Sequence, residues 1–166
     1  MTLYDKLWEL NLDTSLIGLE RVNECGDEFS PIGATVIGWE SEGIHYCFVD
    51  GFGEMVFSVN PERLRPCHVN PVSTSFSDFL RLILACNGTT AIEQAVGWDK
   101  EKFYRFLTSK NNRISKDGKT VLRTIETALQ LKPMEAPYEY IKGVQKEFDY
   151  GRLLFSKAFY EMTGEI

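Results

Sequence analysis

The sequence predicts an α+β fold: a single domain over residues 1–166, with an antiparallel sheet of three to five strands at about 34–70, helices packed on it and a helical C-terminal half. Three observations carry this expectation. The runs ATVIGW, IHYCFV and MVFSV are rich in β-branched and aromatic residues and are joined by the short glycine-containing connections ESEG and DGFG, which marks a strand meander. From Phe76 onward apolar residues instead recur three and four apart, the spacing of helices with one buried face. A chain of 166 residues that is 43% hydrophobic has material for a real core, and at this length about two-thirds of the unfolded surface is buried in one domain.

Taken in order, LYDKLWELN is a short amphipathic helix with Leu3, Leu7, Trp8 and Leu10 on one side. Residues 23–33, NECGDEFSPIG, hold turn formers and form a loop. Strands follow at 34–39, 44–49 and 55–59. In the second, His45, Cys47 and Val49 share one face while Ile44, Tyr46 and Phe48 share the other; both are largely apolar, as in a strand covered on both sides. Residues 61–74 carry three prolines and read as an irregular passage with a short edge strand around Cys67–Val69.

The helical half opens with Ser73, Thr74 or Ser75 as N-cap and a stripe of Phe76, Phe79, Leu80, Ile83 and Leu84, ended by Asn87-Gly88. Thr90 and Glu93 have the spacing of a capping box for AIEQAV. Asp99 caps DKEKFYRFLTSK, whose Phe103, Phe106 and Leu107 face inward. A polar turn, NNRISKDGK, leads to TVLRTIETALQL, stopped by Pro133, and Pro137 opens PYEYIKGVQKEF. The aromatic tail DYGRLLFSKAFYEMTGEI is expected to pack back on the domain.

Charge is distributed unevenly. Residues 1–62 carry 12 Asp/Glu against Lys6 and Arg21, a net of −10; residues 63–166 carry 16 Lys/Arg against 12 Asp/Glu, a net of +4. An acidic strand half disfavours direct nucleic-acid binding and suits a basic protein partner. No apolar run reaches the roughly 20 residues that span a bilayer, and the N-terminus mixes acids into its apolar residues unlike a secretory leader. A cytoplasmic protein with no membrane partner is expected. Cys25, Cys47, Cys67 and Cys86 form no CxxC pair, so neither a metal site nor disulfides are expected; the Asn87-Gly88-Thr89 sequon reads as a turn.

For chemistry, His45 and Cys47 lie two apart on one strand face, but in a sheet core where a nucleophile lacks access. Cys67 and His68 point apart in extended chain. Gly51-x-Gly53 lacks the third glycine and following helix of a dinucleotide fingerprint. No catalytic residue and no cofactor is assigned. The candidate binding residues are Glu40, Glu42, Asp50 and Glu54, which flank the two hairpin turns, and Phe52, which sits between two glycines and either tucks under the sheet or waits for a partner.

The meander IHYCFVDGFGEMVFSVNP followed by PVSTSFSDFLRLIL, a Pro-x-Ser/Thr-x-x-Phe-x-x-Phe-Leu pattern, resembles the SUKH superfamily, the Smi/Knr-like group that includes a cell-wall synthesis regulator and bacterial toxin-immunity proteins. The match spans about 45 residues. The chain lacks the group's early Leu-Pro-x-x-Tyr/Phe stretch, and its C-terminal half is longer than the resemblance needs. The resemblance implies an α+β fold and a non-enzymatic role in binding another protein. The leading expectation is therefore an immunity- or regulator-like module whose acidic surface meets a basic protein such as a toxin. Two alternatives stay open: a small-molecule or peptide binder (or small hydrolase) with a pocket between sheet and helices around His45, Tyr46 and Trp98, and a homodimer joined by an edge strand.

Overall fold

A computed structural model describes residues 1–21, 26–65 and 67–164; Cys25 and the start of the expected 23–33 loop lie outside the described residues. The fold is α+β. Strands β1 (Ala34–Trp39), β2 (His45–Val49), β3 (Val56–Val59) and β4 (Val69–Ser73) form an antiparallel sheet in sequence order. The helices are α1 (Leu3–Glu9), α2 (Phe76–Cys86), α3 (Thr90–Gln94), α4 (Lys100–Thr108), α5 (Lys116–Ala128), α6 (Pro137–Glu147) and α7 (Lys157–Thr163).

β2 is sandwiched, as its two apolar faces require. Tyr46 faces a core built with Ile37, Val56, Val72 and the helices, while Cys47 and Val49 face a second core with Phe57, Val59, Val69 and Leu153. α2 lies at the centre of the first core. Beyond the expected stripe, its Leu82 and Cys86 are also fully buried, because α1, α3, α5 and α6 contact it on the sides away from the sheet. Each such apolar side chain contributes about 1.5–3 kcal/mol by leaving water. The aromatic tail closes the second core: Phe148, Tyr150 and Phe155 pack there, and Phe159 stacks against His68 with centroids 5.2 Å apart.

Three local expectations are corrected. The fourth strand is not centred on Cys67–Val69 but runs to Ser73, straight through Pro71. Proline is tolerated because β4 is the last strand of the sheet, and the ladder with β3 slips its register opposite Pro71 and Ser73. The Thr90–Glu93 capping box does not form: Thr89 precedes α3 without a side-chain cap, and Glu93 turns into the core toward Arg63. The polar turn after α4 is shorter than expected, since Ser115 caps α5 and Gly118 already lies within it. A Cβ at Gly118 would stand 3.1 Å from the Leu16 carbonyl oxygen, so helix and the 14–17 turn approach as closely as glycine permits. Ser75, Asn87, Asp99 and Pro137 serve as the terminators and caps expected of them.

Candidate functional site

An antiparallel meander sends consecutive turns to opposite ends of the sheet. The expected binding residues are thereby divided: Glu40 and Glu42 belong to the β1–β2 turn, and Asp50, Phe52 and Glu54 to the β2–β3 turn. The five residues of β2 separate the two sets by roughly 17 Å at 3.3 Å per residue.

At the first end Glu42 and Gly43 both take left-handed backbone (φ 59° and 80°), and the Ile44 N–H donates to the Ser41 carbonyl at 3.1 Å, which closes a tight hairpin turn. Glu42 is exposed. Glu40 is half-buried and accepts hydrogen bonds from the Thr89 and Thr90 hydroxyls at 2.7 and 3.2 Å, tying β1 to α3. Burial raises its carboxyl above the usual carboxylate range, against the lowering effect of those hydroxyls. It borders a polar hollow of about 340 Å³ together with Glu20, Trp39 and Ser41.

The second end holds a larger, more apolar space. A groove of about 580 Å³ opens between the start of β3, the residue after β4 and α6, with Met55, Tyr140, Val144 and Phe148 on its walls and Glu139, Glu147, Asp149 and Arg152 around them. Phe52 does not stand free at the turn tip. It packs edge-on against Phe57 (5.4 Å) and beside Phe148 (5.7 Å), and the Arg152 guanidinium covers its ring at 4.5 Å. It thus joins the turn to the groove wall. Asp50 and Glu54 are exposed on that turn. Beyond Arg152, Ile32 and Leu154 are 56% and 63% exposed, linked by a 2.7 Å hydrogen bond from the Ile32 N–H to the Leu154 carbonyl. Carboxylates and exposed apolar side chains are therefore interleaved at this end. Glu139 is already engaged: the Tyr104 hydroxyl donates to it and Lys100 Nζ lies 2.9 Å away, and these hydrogen bonds, Tyr104's first, hold its carboxyl down at about 2.

The chemically suggestive groups lie elsewhere and are enclosed. His45 pairs with Ser30 Oγ at 2.8 Å rather than with Cys47, and His45 Nδ1 is 3.0 Å from the Gly43 carbonyl. A carbonyl only accepts, so Nδ1 carries the proton and, in the neutral ring, Nε2 accepts from the Ser30 hydroxyl. This is the hydrogen-bond pattern of a nucleophile and its base, yet Ser30 is 7% and His45 0% exposed, which leaves no approach for a substrate. Burial pushes the thiols of Cys47 and Cys86 up to about 12, so both are protonated at neutral pH and poor nucleophiles. Tyr46 is fully buried with its hydroxyl donating to the Thr89 carbonyl at 3.0 Å, and Trp98 packs against Phe106; the apolar groove is lined by none of His45, Tyr46 and Trp98. No helix among the described residues is long and apolar enough to cross a membrane.

Sequence reasoning missed the groove because its walls come from distant segments; the usable signal was Gly143, a glycine in the middle of a helical pattern. Comparison with protein-family models, with curated proteins and with solved structures returned no match.

Proposed function

We propose that this chain is a non-enzymatic protein-binding module, immunity- or regulator-like, that receives a basic partner protein at the β2–β3 end of the sheet. The observation that carries the reading is the apolar groove with carboxylates on its rim, adjoining Asp50 and Glu54. An apolar hollow accepts a buried anchor side chain, and a rim on which Glu139, Glu147 and Asp149 outnumber Arg152 steers and orients a cationic surface. The enclosure of Ser30 and His45 and the protonated state of the buried thiols support binding over catalysis. A nuclease-type toxin is a fitting partner class, since a surface that holds phosphates is basic. Membership of the SUKH superfamily is part of the same proposal, supported by the meander that leads through Pro71 into the Phe76–Cys86 helix.

The groove's volume favours one other reading. It lies within the roughly 300–1,000 Å³ of small-ligand sites, so an apolar small molecule or short peptide is the alternative occupant. The two separate in a pull-down with the products of neighbouring genes at low and high salt. A basic protein captured at low salt, released at high salt and lost on Glu54→Lys with Glu147→Lys supports the module. Capture that is indifferent to salt and to both substitutions counts against it.

A further inference from the structure

Resting on that reading, we infer that the groove receives a basic amphipathic helix of the partner, which crosses α6 at Gly143. α6 has two working faces. Ile141 is fully buried and Gln145 reaches β4, so one face belongs to the domain. On the other face Glu139, Gly143 and Glu147 follow one another at intervals of four, beside the apolar row Tyr140, Val144 and Phe148.

Gly143 is the informative member. It has no positive φ, and a Cβ placed there would meet nothing within 4 Å. Neither backbone conformation nor internal packing requires glycine, which is unfavourable in the middle of a helix. Its effect is to leave the floor of the groove open to the close approach of another backbone. Helices pack most closely where such a side chain is missing.

An added strand does not fit. Pro71 has no N–H to offer on the outer side of β4, its carbonyl accepts from Gln145 Nε2 at 3.3 Å, and the Thr74 N–H is given to the Tyr140 hydroxyl at 3.1 Å. The sheet edge facing the groove is already occupied, which leaves helix-in-groove recognition. Charge gives the occupant its polarity. Glu139 is held by Lys100 and Tyr104, and the Arg152 guanidinium lies over the Phe52 ring. Glu147 and Asp149, which outnumber Arg152 at this end of the lining, stand exposed at the end of α6, where the helix's own partial negative charge also favours cations. The basic residues of the incoming helix lie at that end, and its apolar side chains sit between Tyr140, Val144 and Phe148.

The test titrates the full chain with three synthetic peptides: a helical Leu/Lys peptide, a proline-interrupted Leu/Lys peptide of matched composition, and a helical Leu/Glu peptide. Affinity is measured by calorimetry and the site is mapped by amide chemical shifts. The helical Leu/Lys peptide should bind, shift Gly143, Val144 and Phe148, and lose at least tenfold in affinity on Gly143→Leu, a variant whose melting temperature does not fall. Unchanged affinity in Gly143→Leu, or no binding by any peptide, overturns the inference. Equal binding of both Leu/Lys peptides, lost on Glu54→Lys with Glu147→Lys, overturns the helix and leaves the basic-partner reading standing. Binding of the Leu/Glu peptide alone overturns both. A wild-type dimer in sedimentation that Gly143→Leu dissociates assigns the groove to a second copy and overturns the inference.

Discussion

Replacing Arg63 by alanine withdraws the cation from a carboxylate whose side chain is only 1% exposed. Glu93 receives Arg63 Nε at 2.7 Å and Asn60 Nδ2 at 2.9 Å, with the Gln94 amide as a third donor. Without the guanidinium, a buried charge keeps two neutral donors. Breaking a buried pair from one side costs about 3–5 kcal/mol. The Arg63 side chain is itself 21% exposed, so water reaches the vacated space and a loss of about 2–4 kcal/mol is expected. For a chain of this size, 3 kcal/mol lowers the melting temperature by roughly 6–12 °C. Glu93→Gln keeps an acceptor oxygen but removes the charge, and costs about 1–2 kcal/mol. The double variant Arg63→Ala/Glu93→Gln is the decisive one, because it leaves no uncompensated charge. Its loss should fall short of the sum of the single losses by about 1–3 kcal/mol. Urea unfolding followed by tryptophan fluorescence measures all three. Additivity within about 0.5 kcal/mol would refute the claim that this pair joins the passage after β3 to α3.

Three further outcomes are expected. Gly143→Ala should stabilise the chain by about 0.5–1 kcal/mol, seen as a melting temperature raised by a few degrees, because the helix gains propensity and the new Cβ meets nothing; a lowered midpoint would contradict the open floor of the groove. Burial lowers the His45 imidazole below its ordinary value of 6.5, against raising contributions from Gly43 and Asp27. The folded state then prefers the neutral ring, so its stability is full above pH 6.5 and declines as pH falls toward the lowered folded value; a ring-proton NMR titration placing His45 at or above 6.5 would show otherwise. For Glu40 the raised carboxyl means that ionisation opposes folding, a penalty present at pH 7 and absent below the ordinary carboxylate range. Glu40→Gln should therefore melt higher than wild type at pH 7 and equally at pH 3.5, and an advantage that persists at low pH would point to packing instead.

What the sequence reveals follows from how local the cause is. Ala34–Trp39 is bounded as read, because a β-branched run between turn residues has no competing structure. The double covering of β2 is legible from one strand's alternation. β4 is not, since Pro71 is a local signal against strand and only pairing with β3 overrides it. Glu93 has the spacing of a capping residue, and nothing nearby in sequence announces Arg63, thirty residues earlier. Ser30 and His45, fifteen apart, meet only because the loop before β1 folds over the sheet. At the candidate site, the acidic residues were legible as turn residues but not their division between two ends. The sequence alone leaves Phe52 between two readings, and packing against Phe57, Phe148 and Arg152 decides that it is tucked in. The groove was invisible because Met55, Thr74 and α6 become neighbours only once the sheet and helices have packed.

The far face of the sheet is covered by the aromatic segment 148–155, and this sets the order in which that core is completed during biosynthesis. Cys47, Val49, Phe57 and Val59 are synthesised early, yet their cover of Phe148, Tyr150, Leu153 and Phe155 comes about a hundred residues later. On the ribosome the meander therefore emerges with one greasy side bare and cannot lock until the tail arrives. Completion of this core therefore waits until residues 148–155 have been made, and a chain cut short before Phe148 would present that bare side as a surface for chaperones or for aggregation.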